Sequence, residues 1–268
     1  MVLEEPSSDA IPELAVLRLR NCGRGMTDRT AAVCINLAQG GGRPGHGLEQ
    51  LQLVGCYRLN DTALCGLLTS CKESLISLDL SCNSRLSGVA LSCVRSMLSL
   101  QELVLDNCTQ LVDEDILKLI PVVDSDGNGG SSSSSSRNPM SCPPLTSLSL
   151  GGLIEITDDG VVPLLQRYGS GLSWLHLSGC VKLTDHTIQC IRQYCGNLRS
   201  IALGQLGEVS TTALLGLFVV HPTALRIGTA TRVSPLISCQ PHEMHGSEWN
   251  GEDTYQVVPA RIGYLEEI

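Results

Sequence analysis

Leucines return along this chain in one spacing, L-x-x-L-x-L-x-x-C. The first copy is Leu14, Leu17, Leu19 and Cys22, and the second is Leu48, Leu51, Leu53 and Cys56. The third is Leu75, Leu78, Leu80, with Asn83 in the cysteine slot and Cys82 beside it. The fourth is Leu100, Leu103, Leu105 and Cys108. The fifth is Leu145, Leu148, Leu150, with Leu153 in the slot, and the sixth is Leu172, Leu175, Leu177 and Cys180. The seventh is Leu198, Ile201, Leu203, with Leu206 in the slot, and a degenerate eighth runs through Pro222, Leu225 and Ile227. Starts are 34, 27, 25, 45, 27, 26 and 24 residues apart, so the unit is about 26 residues and two copies carry insertions.

The x-L-x-L-x part alternates with period two, which predicts a short strand with leucines on one face. A second signature follows it, as in Leu59-Asn60-Asp61, Ile156-Thr157-Asp158 and Leu183-Thr184-Asp185. Ser, Thr and Asn favour a helix N-cap, and an aspartate just inside favours the positive helix end. Leu64, Leu67, Leu68 and Cys71, and later Ile188, Ile191 and Cys195, then fall at helical spacing. Neither half can bury its apolar face alone. Stacking the units gives an α/β solenoid, with parallel strands on the concave face and helices on the convex face, in about seven to eight repeats. The slot cysteines are read as small buried thiols that satisfy backbone groups where the chain turns from the strand.

This motif, with its slot cysteine and its L-T-D helix start, resembles the cysteine-containing leucine-rich repeats of F-box/LRR proteins and of antagonists of the mitotic exit network. The resemblance implies a horseshoe and a protein–protein interaction module like the substrate-recognition region of an SCF-type ubiquitin ligase. It implies a ubiquitin-ligase adaptor or substrate as partner, ubiquitin-dependent protein catabolism as setting, and a cytoplasmic or nuclear location. No F-box is visible, because only 13 residues precede Leu14. That departure favours the alternative, an F-box-less scaffold or inhibitor that binds a regulatory protein on its concave face.

The polar strand positions between the leucines are expected to form that face. Arg18 and Arg20 stand at one end, Asp79, Glu102 and Asp106 in the middle, and Trp174 with His176 beyond them. Trp174 is read as the anchor, since tryptophan and arginine are frequent hot-spot residues, and Glu102 and Asp106 as partners for basic groups. Ser149, Gly151, Ser178, Ala202 and Gly204 are expected to leave room around the tryptophan. The competing reading puts Trp174 beneath the serine-rich insertion or the tail.

Residues 1–13 are expected to form a disordered leader and residues 14–235 the solenoid, with insertions at 40–47 and 121–144. The second insertion holds six consecutive serines, Ser131 to Ser136. Residues 236–268 form an acidic tail in which Val257, Val258, Ile262 and Leu265 suit a cap on the last repeat.

Composition narrows the chemistry. The chain has 268 residues, 43 of them leucine and one phenylalanine, which fits a single small unit used repeatedly. A net charge of −9 argues against nucleic acid and anionic membranes as partners. No apolar run is long enough to span a bilayer, and the first residues do not read as a signal peptide. The 13 cysteines are expected to stay reduced, and both N-x-T sequons are read as chance matches. No phosphate loop or nucleophile elbow occurs, so neither catalysis nor a small-molecule ligand is expected, and no cofactor. Cys239, His242 and His245 have ligand-like spacing but no fourth donor, so no metal is expected.

Overall fold

A computed structural model describes residues 15–22, 31, 34, 47–56, 58–121, 143–220 and 226–228. Eight strands form one sheet in sequence order: β1 (Val16–Arg20), β2 (Gln50–Val54), β3 (Ser77–Asp79), β4 (Glu102–Val104), β5 (Ser147–Ser149), β6 (Trp174–His176), β7 (Ser200–Ala202) and β8 (Arg226–Gly228). Every neighbouring pair is parallel. The helices between them are α1 (Asp61–Ser70), α2 (Gly88–Val94), α3 (Asp113–Ile116), α4 (Asp158–Tyr168), α5 (Asp185–Tyr194) and α6 (Thr211–Val220). This is the leucine-rich-repeat solenoid that the leucine spacing predicts, and the degenerate eighth copy contributes its strand.

Register holds across the whole sheet. Leu17, Leu51, Leu78, Leu103, Leu148, Leu175, Ile201 and Ile227 pair in one column. From Leu51 to Ile201 that column is buried against the helices. Period two then sends the residues on either side of it to the other face. Arg18, Gln52, Asp79, Val104, Ser149, His176, Ala202 and Gly228 therefore form a second column, facing away from the helices.

The slot residues do what their size and chemistry suggest, and they do it across repeats. Cys56 donates its thiol to the Leu19 carbonyl at 3.7 Å, Cys108 to Leu80 at 3.1 Å and Cys180 to Leu150 at 3.0 Å. Asn83 does the same from Nδ2 to Leu53 at 2.6 Å. Each bond ties a turn to the strand end of the preceding repeat. Burial pushes the Cys108 and Cys180 thiols up to about 12, so both remain protonated donors at neutral pH.

A left-handed residue stands immediately before each slot. Asn21, Gly55, Cys82, Asn107, Gly152, Gly179 and Gln205 all have positive φ, between 53° and 79°. The turn exposes an N–H to the next repeat, as in Asn21 to Val54 O at 2.7 Å and Asn107 to Gly151 O at 2.7 Å. Glycine or asparagine occupies five of the seven positions, as the sterics of this region favour. Cys82 and Gln205 adopt it at a cost.

On the helix side, the aspartate after each N-cap does more than complement the helix dipole. Asp61 accepts from the backbone and hydroxyl of Ser87, Asp113 from those of Thr157, Asp158 from those of Thr184, and Asp185 from those of Ser210. Each helix start is thereby bonded to the next one. The third copy has Gly88 where the aspartate would be. There Asp115, from the following repeat, reaches back to Gly88 N at 2.7 Å.

The fourth repeat departs from the expected full helix. Its α3 is one turn long and continues as a 3-10 turn, Leu117–Leu119. Pro121, which lacks an N–H, follows directly. The carbonyl of Leu119 accepts the Tyr168 hydroxyl at 2.6 Å, so α4 closes that end. The expected leader and tail, most of both insertions, and the Cys239, His242 and His245 group lie outside the described residues.

Candidate functional site

The concave face is built from alternate strand residues, and its two ends differ. At the β1 end Arg18 and Arg20 are exposed, with their guanidinium groups held by the next strand. Arg18 donates to Gln50 Oε1 at 3.2 Å, and Arg20 to Gln52 Oε1 at 3.2 Å. The brace fixes two parallel cations on one surface. The sequence places Gln50 and Gln52 on this face, but their pairing with the arginines emerges only once the register sets the two strands side by side.

The middle of the face is closed, which corrects the expectation of an open acidic and aromatic surface. Trp174 is 5% exposed, His176 8%, Asp106 9% and Asp79 1%. Glu102 is half-buried. The room expected beside Gly151 is occupied. A Cβ on Gly151 would lie 2.4 Å from His176 Cε1, so the imidazole fills the space that glycine opens. The Trp174 ring packs on His176 with centroids 5.9 Å apart. Strands about 4.8 Å apart bring side chains of one column into contact, which a list of residues by repeat does not convey.

Asp106, Ser149 and His176 meet across three strands. Ser149 Oγ donates to Asp106 Oδ1, which also accepts Gly151 N at 2.7 Å. His176 Nδ1 lies 2.8 Å from Ser149 Oγ and 3.4 Å from Asp106 Oδ2. With the serine proton committed to the carboxylate, Nδ1 is the donor to Ser149. This trio is not arranged for acyl transfer. Ser149 is fully buried, its hydroxyl bonds the acid rather than the base, and a single imidazole nitrogen faces both partners. Its role is to satisfy buried polar groups and lock three strands in register.

Asp79 is held differently. Its Oδ1 accepts Ser81 N at 3.0 Å and Ser81 Oγ at 2.6 Å, while Oδ2 has no hydrogen-bond partner among the described residues. Burial raises its pKa. The Ser81 bonds and the Arg20 charge oppose that rise, and the Asp106 charge adds to it. Asp79 and Asp106 of the acidic patch read from sequence are therefore internal, Glu102 keeps part of its exposure, and the exposed charges of this face among the described residues are the two arginines. Among the described residues no group of His, Cys, Asp and Glu could hold a metal ion, and no helix is long and apolar enough to cross a membrane.

No family model matches the chain. Its sequence is similar to the DNA repair protein rhp7 of Schizosaccharomyces pombe, 25% identical over 199 residues. That stretch covers 73% of this chain but only 30% of rhp7, so the chain spans less than a third of that relative. Among solved structures it resembles a chain of the yeast Rad7 and Elc1 complex, with a TM-score of 0.45 and 19% identity, covering 84% of this chain and 66% of that one.

Proposed function

We propose that this chain is a protein-binding scaffold of leucine-rich repeats whose partner docks on the concave face at its β1–β2 end. The observation that supports this reading is the pair of exposed, braced guanidinium groups, Arg18 and Arg20. The acidic and aromatic residues of the same face are engaged with one another. Arginines already held by neighbours lose little freedom on binding and suit bidentate recognition of carboxylates. The partner is thus a protein that presents an acidic segment to Arg18 and Arg20. A chain with net charge −9 is a poor platform for nucleic acid, so binding to protein is the better reading even in a DNA repair setting like that of rhp7.

The finer reading, the substrate-recognition region of an SCF-type F-box/LRR ligase, rests on the repeat class alone. The test is affinity capture from cell extract with the intact chain and with an Arg18→Glu, Arg20→Glu variant. One protein held by the intact chain and lost from the variant, with no cullin-adaptor components, supports the scaffold. Cullin-adaptor components held by both chains favour the ligase reading. Identical captures without ligase components overturn the site.

A further inference from the structure

Eleven of the described residues are cysteines, and none is in a disulfide. Most are shielded. Cys56, Cys71, Cys108, Cys180 and Cys195 are each no more than 1% exposed. Two cysteines differ from this set because they face each other across a helix pair. Cys65 lies on α1 and Cys93 on α2, and these helices pack together as neighbours in the stack. Both are half-buried, so solvent reaches them. Cys65 Sγ is 3.7 Å from the Val89 carbonyl, and Val89 and Cys93 are one turn apart on the same helix face. The Cys93 thiol is also close enough to Cys65 to raise its pKa.

We propose that Cys65 and Cys93 are an oxidisable dithiol, closed by peroxide into a reversible disulfide that clamps α1 to α2. Cys65 lies within donor reach of the Val89 carbonyl, and Cys93 stands one turn further along the same face of α2. Burial first, and then the contact with Cys93, push the Cys65 thiol up to about 12, so it keeps its proton. Cys93 is then the attacking sulfur and Cys65 the resolving one. The Cys93 thiolate attacks one oxygen of hydrogen peroxide, the O–O bond breaks, and hydroxide leaves, giving a sulfenic acid at Cys93. Cys65 sulfur then displaces the sulfenic oxygen, which departs as water with the Cys65 proton. Two thiols and one peroxide give one disulfide and two waters. The bond would join consecutive repeats at their convex surface without touching the concave face.

The test is oxidation of the full chain with hydrogen peroxide, followed by peptide mapping without reductant. The expected product is a Cys65–Cys93 cross-linked peptide that a dithiol reductant removes. In Cys65→Ser the resolving thiol is gone, so dimedone labels Cys93. In Cys93→Ser the attacking thiol is gone, so no cross-linked peptide forms and Cys65 stays unlabelled. The proposal is overturned if peroxide oxidises other cysteines while Cys65 and Cys93 stay reduced, or if Cys65→Ser leaves Cys93 unlabelled.

Discussion

Replacing Asp158 by alanine tests whether the helix-start ladder carries the coupling between repeats. This carboxylate accepts the backbone N–H of Thr184 at 3.1 Å and the hydroxyls of Thr184 and Thr187. Thr187 is fully buried, so its freed hydroxyl has no access to water. Thr184 is half-buried and regains part of its hydration. At about 1 kcal/mol per hydrogen bond, with one donor left buried, the loss comes to about 2 to 3 kcal/mol. Asparagine keeps an acceptor and should lose about half as much. The assay is urea unfolding followed by circular dichroism. Because Asp158 bridges the fifth and sixth repeats, its loss should also broaden the transition, as expected of a stack held by nearest-neighbour terms. The pH dependence has a definite sign. Burial alone would raise this carboxyl, but the Thr184 and Thr187 bonds outweigh it and hold its pKa below the ordinary value. The stabilisation is therefore complete above the ordinary carboxylate range and fades as pH falls through the lowered value. A loss under about 0.5 kcal/mol at pH 7, the size of an ordinary surface substitution, would refute the ladder.

Three further outcomes follow from the same structure. Cys180→Ala should cost about 1 to 2 kcal/mol in urea unfolding, for the lost sulfur and its bond to the Leu150 carbonyl, which keeps only Leu153 N, and Cys180→Ser should recover part of it. Gln205→Gly should raise stability by about 0.5 to 1 kcal/mol in thermal melts, because Gln205 sits at φ 53° where glycine is unstrained. Asp79, with its raised pKa, should make the intact chain lose stability as pH climbs from the ordinary carboxylate value through the raised one, and remain lower above it. Asp79→Asn should lack that contribution, and parallel pH–stability curves for the two chains would show that Asp79 is not the source.

Much of this architecture is legible in the sequence because a repeat shows the same decision many times. One L-x-x-L-x-L segment is an ambiguous apolar run, but seven aligned copies fix strand, face and register together. The slot cysteine was legible for the same reason, since a small weak donor recurs at one position. The left-handed position was not read from the sequence, because Gly or Asn stands directly before only five of the seven slots and Cys82 and Gln205 interrupt the pattern. The aspartate ladder was only half legible. Its position after the N-cap points to the helix dipole, but the bond to the next repeat needs the stacking distance. The concave face was misjudged in its middle because exposure is not a property of one strand. Whether Trp174 is open depends on His176 beside it and on Gly151 one strand away, and period two alone does not report how far a ring leans.

The most direct test of concave-face binding is site-specific photo-cross-linking to the captured partner. A photoreactive residue would replace Val16, which is 38% exposed beside Arg18 on the concave side, or Val89, which is 60% exposed on α2. The account predicts a cross-linked partner from position 16, lost with Arg18→Glu and Arg20→Glu, and none from position 89. A cross-link from position 89 alone would place the partner on the helices and contradict it.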